Sequence, residues 1–170
     1  MTERVFGLIG KDINYSFSKK YFSEKFKKNR NEKYTYKNFD IESIKSVQPI
    51  LDDKKVSGLN VTIPYKKSII PYLDKISNQA KEIGAVNTIF FDQIHKSTGY
   101  NTDAFGFEKS LLEKLKKLPD SALILGTGGA SSAVAHTLKK LNIKFKFVSR
   151  NPNENHFSYS DLNLEIMKMY

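Results

Sequence analysis

The chain has 170 residues, 39% of them hydrophobic and 27% charged, with a formal net charge of +10. That length holds one ordinary domain, or one small domain and part of another, and the composition is that of a folded protein. The absence of cysteine excludes a disulfide framework and any thiolate metal site.

In chain order, Val5–Ile9 is a short apolar run ended by Gly10 and reads as a buried strand. Tyr21, Phe22 and Phe26 recur at helical spacing over 19–28, with Ser18 placed as the N-cap. Tyr34–Phe39 alternates aromatic and polar residues, which predicts a strand. Ile44, Val47, Ile50 and Leu51 form a helical stripe. Residues 56–63 read as a strand stopped by Pro64, residues 68–73 and 78–83 as short helical pieces, and 86–91 as another strand. The segment 93–98 is polar and reads as a surface turn. Alternation of strands and helices predicts an α/β domain with a mostly parallel sheet.

A long helix is expected over 103–118, carrying Phe107, Leu111, Leu112 and Leu115 on one face and closed by Pro119. A second unit then begins: strand 122–125, a glycine turn, helix 130–141 and strand 145–148. The domain boundary is placed at 101/102. Only two strands are legible in the second unit, whereas a complete dinucleotide-binding domain has about six. The chain therefore reads as part of a longer protein.

Gly126-Thr-Gly-Gly129, with Ala130 and Ser131 after it, lies between an apolar strand and a helix. Glycine there permits a tight turn and lets backbone N–H groups approach a pyrophosphate at the positive helix end. An NAD-binding turn has an acidic residue about 20 residues further on, for the ribose hydroxyl. This chain has Ser149-Arg150-Asn151 instead, and an arginine suits a 2′-phosphate. The expected cofactor is NADP, with Arg150 at the phosphate and, by resemblance to a known family taken up below, Asn151 beside it, although Glu154 would oppose it if turned inward. Lys66, following Pro64 at a strand end, suits a proton donor. Asp103 could orient it, and Asn101, Thr102 or Asp103 could equally cap the following helix.

Four runs occur in a fixed order: Ser16-Phe-Ser18 after the opening strand, Asn60-Val-Thr-Ile-Pro-Tyr-Lys66, Gly84-Ala-Val-Asn-Thr88 and Asn101-Thr-Asp103. With the glycine turn they resemble the shikimate dehydrogenase family over essentially the whole chain. The resemblance implies a substrate-binding catalytic domain over 1–101 and an incomplete Rossmann-like, NADP-binding domain over 102–170. It implies NADPH-dependent, reversible reduction of 3-dehydroshikimate to shikimate, in aromatic amino-acid biosynthesis. By the same resemblance Ser16 and Ser18 hold the substrate carboxylate, Thr62, Asn87 and Asp103 hold ring hydroxyls, and Lys66 and Asp103 form the catalytic pair. Asn60 is assigned to bracing the loop. Family members also carry further cofactor-domain strands and a returning C-terminal helical segment, so weak activity or none is expected of these 170 residues alone.

A quinate/shikimate dehydrogenase using NAD is the enzymatic alternative, and a non-catalytic substrate-binding remnant the other. Nucleic-acid binding ranks last, since Arg4, Arg30 and Arg150 are the only arginines and the lysines are spread along the chain. Three scattered histidines offer no metal site. No apolar run approaches the ~20 residues that span a bilayer, and no signal peptide is read, so a cytoplasmic location is expected.

Overall fold

The computed structural model describes residues 3–170. They divide into two compact units, one running to Lys81 and including Val86–Tyr100, the other comprising Glu82–Ala85 and Asn101–Tyr170.

The first unit contains β1 (Arg4–Gly10), α1 (Ser18–Lys28), β2 (Tyr34–Asp40), α2 (Gln48–Asp52), β3 (Val56–Val61), β4 (Lys75–Ile76), β5 (Thr88–Phe91) and β6 (Ser97–Tyr100), and α3 (Asn78–Ile83) ends beyond it. The sheet order is β2-β1-β3-β5-β6-β4. β1 runs parallel to β2 and β3, and β4 parallel to β6, while β5 is antiparallel to both β3 and β6. Parallel pairing thus predominates, as the β–α alternation predicts, and one hairpin interrupts it. That hairpin forms because Asp92 Oδ1 accepts the N–H groups of Ile94 and Lys96 while His95 takes a left-handed conformation. The expected turn over 93–98 is shorter than anticipated, because β6 already begins at Ser97.

Alternating side chains divide between the two sheet faces. One face packs Val5, Ile9, Leu59, Val61 and Ile89 with Val47, Leu51 and Ile69 from the connections. The other packs Leu8, Ile13 and Tyr36 beneath Phe22 and Phe26 of α1. Phe22 and Phe26, four residues apart, lie on one helix face, so α1 covers β1 and β2 with rings rather than aliphatics. Ser18 does not cap α1. It is the first helical residue, and Ser16 Oγ accepts its N–H at 3.3 Å. The stripe from Ile44 to Leu51 is not one helix but a 3₁₀ turn (Ile44–Ser46) followed by α2, with Pro49 near the new helix start. The segment expected over 68–73 narrows to a 3₁₀ turn at Ile70–Tyr72.

The second unit contains α4 (Asp103–Lys114), β7 (Ser121–Leu125), α5 (Gly129–Lys140), β8 (Lys144–Ser149), β9 (Phe157–Ser158) and α6 (Leu164–Met169). Its strands are parallel in the order β7-β8-β9. Ile124, Leu138 and Ile143 form its core, with Phe107, Leu111 and Leu118 packed against them. α4 stops four residues before the expected end. Leu118 precedes Pro119 and is driven from helical geometry, and in the irregular segment after Leu115 it packs on the core. The third strand, β9, leaves no trace in the periodicity because two residues inside a polar stretch carry no pattern. Among the described residues no helix is long and apolar enough to cross a membrane.

Candidate functional site

In the first unit the motif residues collect where the parallel strands end. Ile9 and Val61 are register partners in β1 and β3, and Thr62 N–H continues that ladder to Ile9 O at 2.9 Å. Val61 N–H donates to Asn87 O at 2.8 Å, and Asn87 N–H to Tyr100 O at 3.0 Å, which fixes Asn87 just before β5. The Asn87 side chain is buried and accepts from Thr88 Oγ1 at 3.0 Å. The Ile63–Pro64 peptide is cis. Tyr65 N–H then bonds Thr62 O, and Val86 N–H bonds Lys66 O at 2.7 Å, so the Lys66 backbone is held at both sides of its turn. Tyr65 anchors this turn by donating its hydroxyl to Ile41 O at 2.6 Å, and burial pushes its phenol above the ordinary range.

Ser16 and Ser18 lie at the start of α1. The Tyr36 hydroxyl donates to Asn60 Oδ1 at 2.8 Å. Asn60 therefore braces β2 rather than its own loop. Tyr36 carries no motif of its own in the sequence. Its only signal is an inward position on the alternating strand Tyr34–Phe39, shared with ordinary core aromatics.

In the second unit Asn101 is buried, 3% exposed. Its Oδ1 accepts the N–H groups of Asp103 (3.0 Å) and Ala104 (3.3 Å), and its Nδ2 donates to Ala85 O at 3.0 Å. Of the three capping candidates, then, Asn101 satisfies the helix start, and half-buried Asp103 opens α4. An acidic residue in the first turn also complements the helix dipole.

At the glycine turn Gly126 takes φ +110°, and its N–H donates to Val148 O at 2.8 Å, closing the turn onto the end of β8. Gly128 is the N-cap of α5, and a Cβ built on it would meet nothing within 4 Å. The chain thus presents a left-handed glycine, open space beside the next glycine, and the N-terminus of a 12-residue helix. Those features fit a dinucleotide pyrophosphate. Following β8, the Ser149 hydroxyl and Asn151 backbone bond each other at 3.1 and 3.2 Å, shaping the turn that carries exposed Arg150. Glu154 is exposed as well.

The fold and these residues define an α/β protein in which a mostly parallel sheet carries a polar cluster at its strand ends, followed by a Rossmann-like strand–glycine turn–helix unit. Residues 8–89 match the family described as the shikimate dehydrogenase substrate binding domain. Residues 8–89 thus carry the substrate binding domain of the shikimate dehydrogenase family, and the curated relatives matched over most of the chain are named shikimate dehydrogenase. The chain is 43% identical over 152 residues to the shikimate dehydrogenase (NADP(+)) of Methanosphaera stadtmanae, covering 88% of this chain and 53% of that protein. Among solved structures, shikimate dehydrogenase 1 of Peptoclostridium difficile superposes with a TM-score of 0.81 at 35% identity, over 93% of this chain and 62% of that one. The Thermus thermophilus enzyme, solved with NADP(H) and shikimate, gives 0.75 at 29% identity, over 88% and 57%. The chain spans about half the length of the curated relatives it matches.

Proposed function

We propose that this chain carries the substrate-binding and catalytic residues of an NADP-dependent shikimate dehydrogenase, interconverting 3-dehydroshikimate and shikimate. The observation that carries the reading is the presence of Lys66 and Asp103 in a chain 43% identical to a named NADP(+)-dependent relative.

In this reading Ser16 and Ser18 line the carboxylate end of the substrate, and Thr62, Asn87 and Asp103 hold its ring hydroxyls. Lys66 delivers a proton to the carbonyl oxygen during reduction and accepts it back in the reverse direction. Asp103 orients the reacting oxygen and shares the proton. Gly126, Gly128, Gly129, Ala130 and Ser131 would hold the pyrophosphate of NADP, and Arg150 with Asn151 its 2′-phosphate. When bound, the nicotinamide supplies hydride, and the protein supplies orientation and proton delivery. Domain roles follow: substrate binding over 1–101 and cofactor binding over 102–170. Arg150 favours NADP over NAD, and exposed Glu154 has room to point away from the phosphate.

The test is calorimetric titration of the purified chain with shikimate and with NADPH, alongside NADPH oxidation in the presence of 3-dehydroshikimate. Both ligands are expected to bind, and oxidation is expected to require the ketone. Lys66→Ala should retain shikimate binding and lower whatever turnover the chain shows, by up to about 10²–10⁴-fold, the usual contribution of a positioned proton donor. A chain that binds neither ligand would end the proposal. For the cofactor, Arg150→Ala should weaken NADPH and leave NADH unchanged, and equal loss of both would assign Arg150 no phosphate.

A further inference from the structure

Thr137 is a polar residue, fully buried in the second half of α5. Threonine is a poor choice for a helix interior, and a hydroxyl taken out of water costs free energy unless it finds a partner. Its single hydrogen leaves its own helix: Thr137 Oγ1 donates to Ala104 O of α4 at 3.1 Å. Neighbouring contacts keep the two helices in one arrangement. Ala104 and Ala133 share a small buried core with Ile83 and Ala85. Further along, Lys140 Nζ donates to both carboxylate oxygens of Glu108, at 2.7 and 2.8 Å. Asp103 is the first residue of α4, and its backbone is fixed on both sides. Its N–H donates to Asn101 Oδ1 at 3.0 Å, and the carbonyl of the next residue is the one that Thr137 holds.

We infer that Thr137 is a positioning residue for Asp103: its hydroxyl ties the first turn of α4 to α5, the helix that follows the glycine turn. The acid group that holds a ring hydroxyl and shares the proton is thereby set by the helix assigned to the pyrophosphate. Thr137 stands roughly two turns along that helix from Gly129. All of these groups lie in the second unit. Valine would fill nearly the same volume and remove the hydrogen bond, leaving Ala104 O without that donor, whereas serine keeps the hydroxyl. The inference rests on the shikimate reading of Asp103 and adds to it a residue that no motif marks.

The test is a double-mutant cycle, read by calorimetric titration of shikimate into the wild-type chain, Thr137→Val, Thr137→Ser, Asp103→Ala and the double variant Thr137→Val/Asp103→Ala. Thr137→Val should weaken shikimate about three- to tenfold, the scale of one hydrogen bond, and Thr137→Ser should restore most of that loss. In the Asp103→Ala background the valine should change affinity by less than about twofold, because the side chain it acts through is gone. A merely structural threonine would lower the melting temperature and weaken binding equally in both backgrounds. That result, wild-type affinity in Thr137→Val, or a serine no better than the valine overturns the inference and leaves the reading of Asp103 in place. Thr137→Ala serves the same cycle should the valine chain not fold, and the serine comparison decides alone should Asp103→Ala bind too weakly to measure. If the wild type does not bind shikimate, or Asp103→Ala binds it equally well, the shikimate reading of Asp103 falls and takes this inference with it.

Discussion

Gly126 stands at φ +110°, where an L side chain is strained whatever room surrounds it. A Cβ there would lie 3.5 Å from Ser131 Oγ, an ordinary contact, so the penalty is conformational rather than steric. Gly126→Ala should therefore cost about 1–3 kcal/mol, the range for a residue held in a sparsely populated backbone region. Urea unfolding measures it, and unchanged stability would show that the turn relaxes freely. Asp74 offers a second residue-scale test. Its carboxylate accepts both the N–H and the Oγ–H of Ser97 at 2.8 Å, and these bonds hold its pKa below the ordinary 3.8. A carboxyl group depressed in the folded state stabilises fully above its unfolded value and loses that contribution as pH falls through the folded one. Acid unfolding between pH ~4 and lower values should be shallower in Asp74→Asn than in the wild type. Parallel curves would remove Asp74 from the account.

Elements follow their local pattern wherever one face had a clear periodicity. β1 and β2 fall where alternation or an apolar run put them, and α5 lies within one residue of its expected span at each end. Ile9 shows why β1 was legible. It is fully buried at the centre of the sheet between β2 and β3. Ile9→Ala should cost about 2–5 kcal/mol by lost transfer energy and a residual cavity, and a loss under about 1 kcal/mol would mean the site collapses around the smaller residue. The missed elements are the ones stabilised from elsewhere. β6, whose first two residues fall in the expected turn, is held between β5 and β4; β4 has two residues and pairs only with β6, and β9 has two residues and pairs only with β8. Runs so short carry no period, and their conformation is imposed by the neighbouring ladder. α4 errs in the opposite direction. Its expected stripe runs through Leu112 and Leu115, but both are exposed; Phe107, Leu111 and Leu118 pack on the core, and the helix ends at Lys114 ahead of Pro119.

At the scale of the whole molecule the surplus of cations should oppose compaction at low ionic strength. A net charge of +10, mostly lysine, repels itself through water until salt screens it. Raising ionic strength from about 0.01 M to about 0.15 M shortens the Debye length from ~30 Å to ~8 Å. The melting temperature should rise over that range. A flat or falling curve would mean that local pairs such as Lys140–Glu108, 2.7 Å apart, outweigh the net repulsion. Each unit also has its own apolar core, Val5 to Ile89 in the first and Ile124 to Ile143 in the second.

The amino-acid order alone determined the α/β class, the positions of the long strands and helices, and the family resemblance, because periodicity and ordered polar motifs are local properties. It also marked the glycine turn, since only glycine readily takes the backbone angle seen at Gly126. Tertiary structure alone decided which polar groups meet. Tyr36 and Asn60 are 24 residues apart in sequence, and Asn101 is 16 residues from Ala85. No local pattern encodes such pairings. They arise because strand pairing, parallel or antiparallel, brings distant segments side by side, and a buried polar group then bonds whatever partner the sheet delivers.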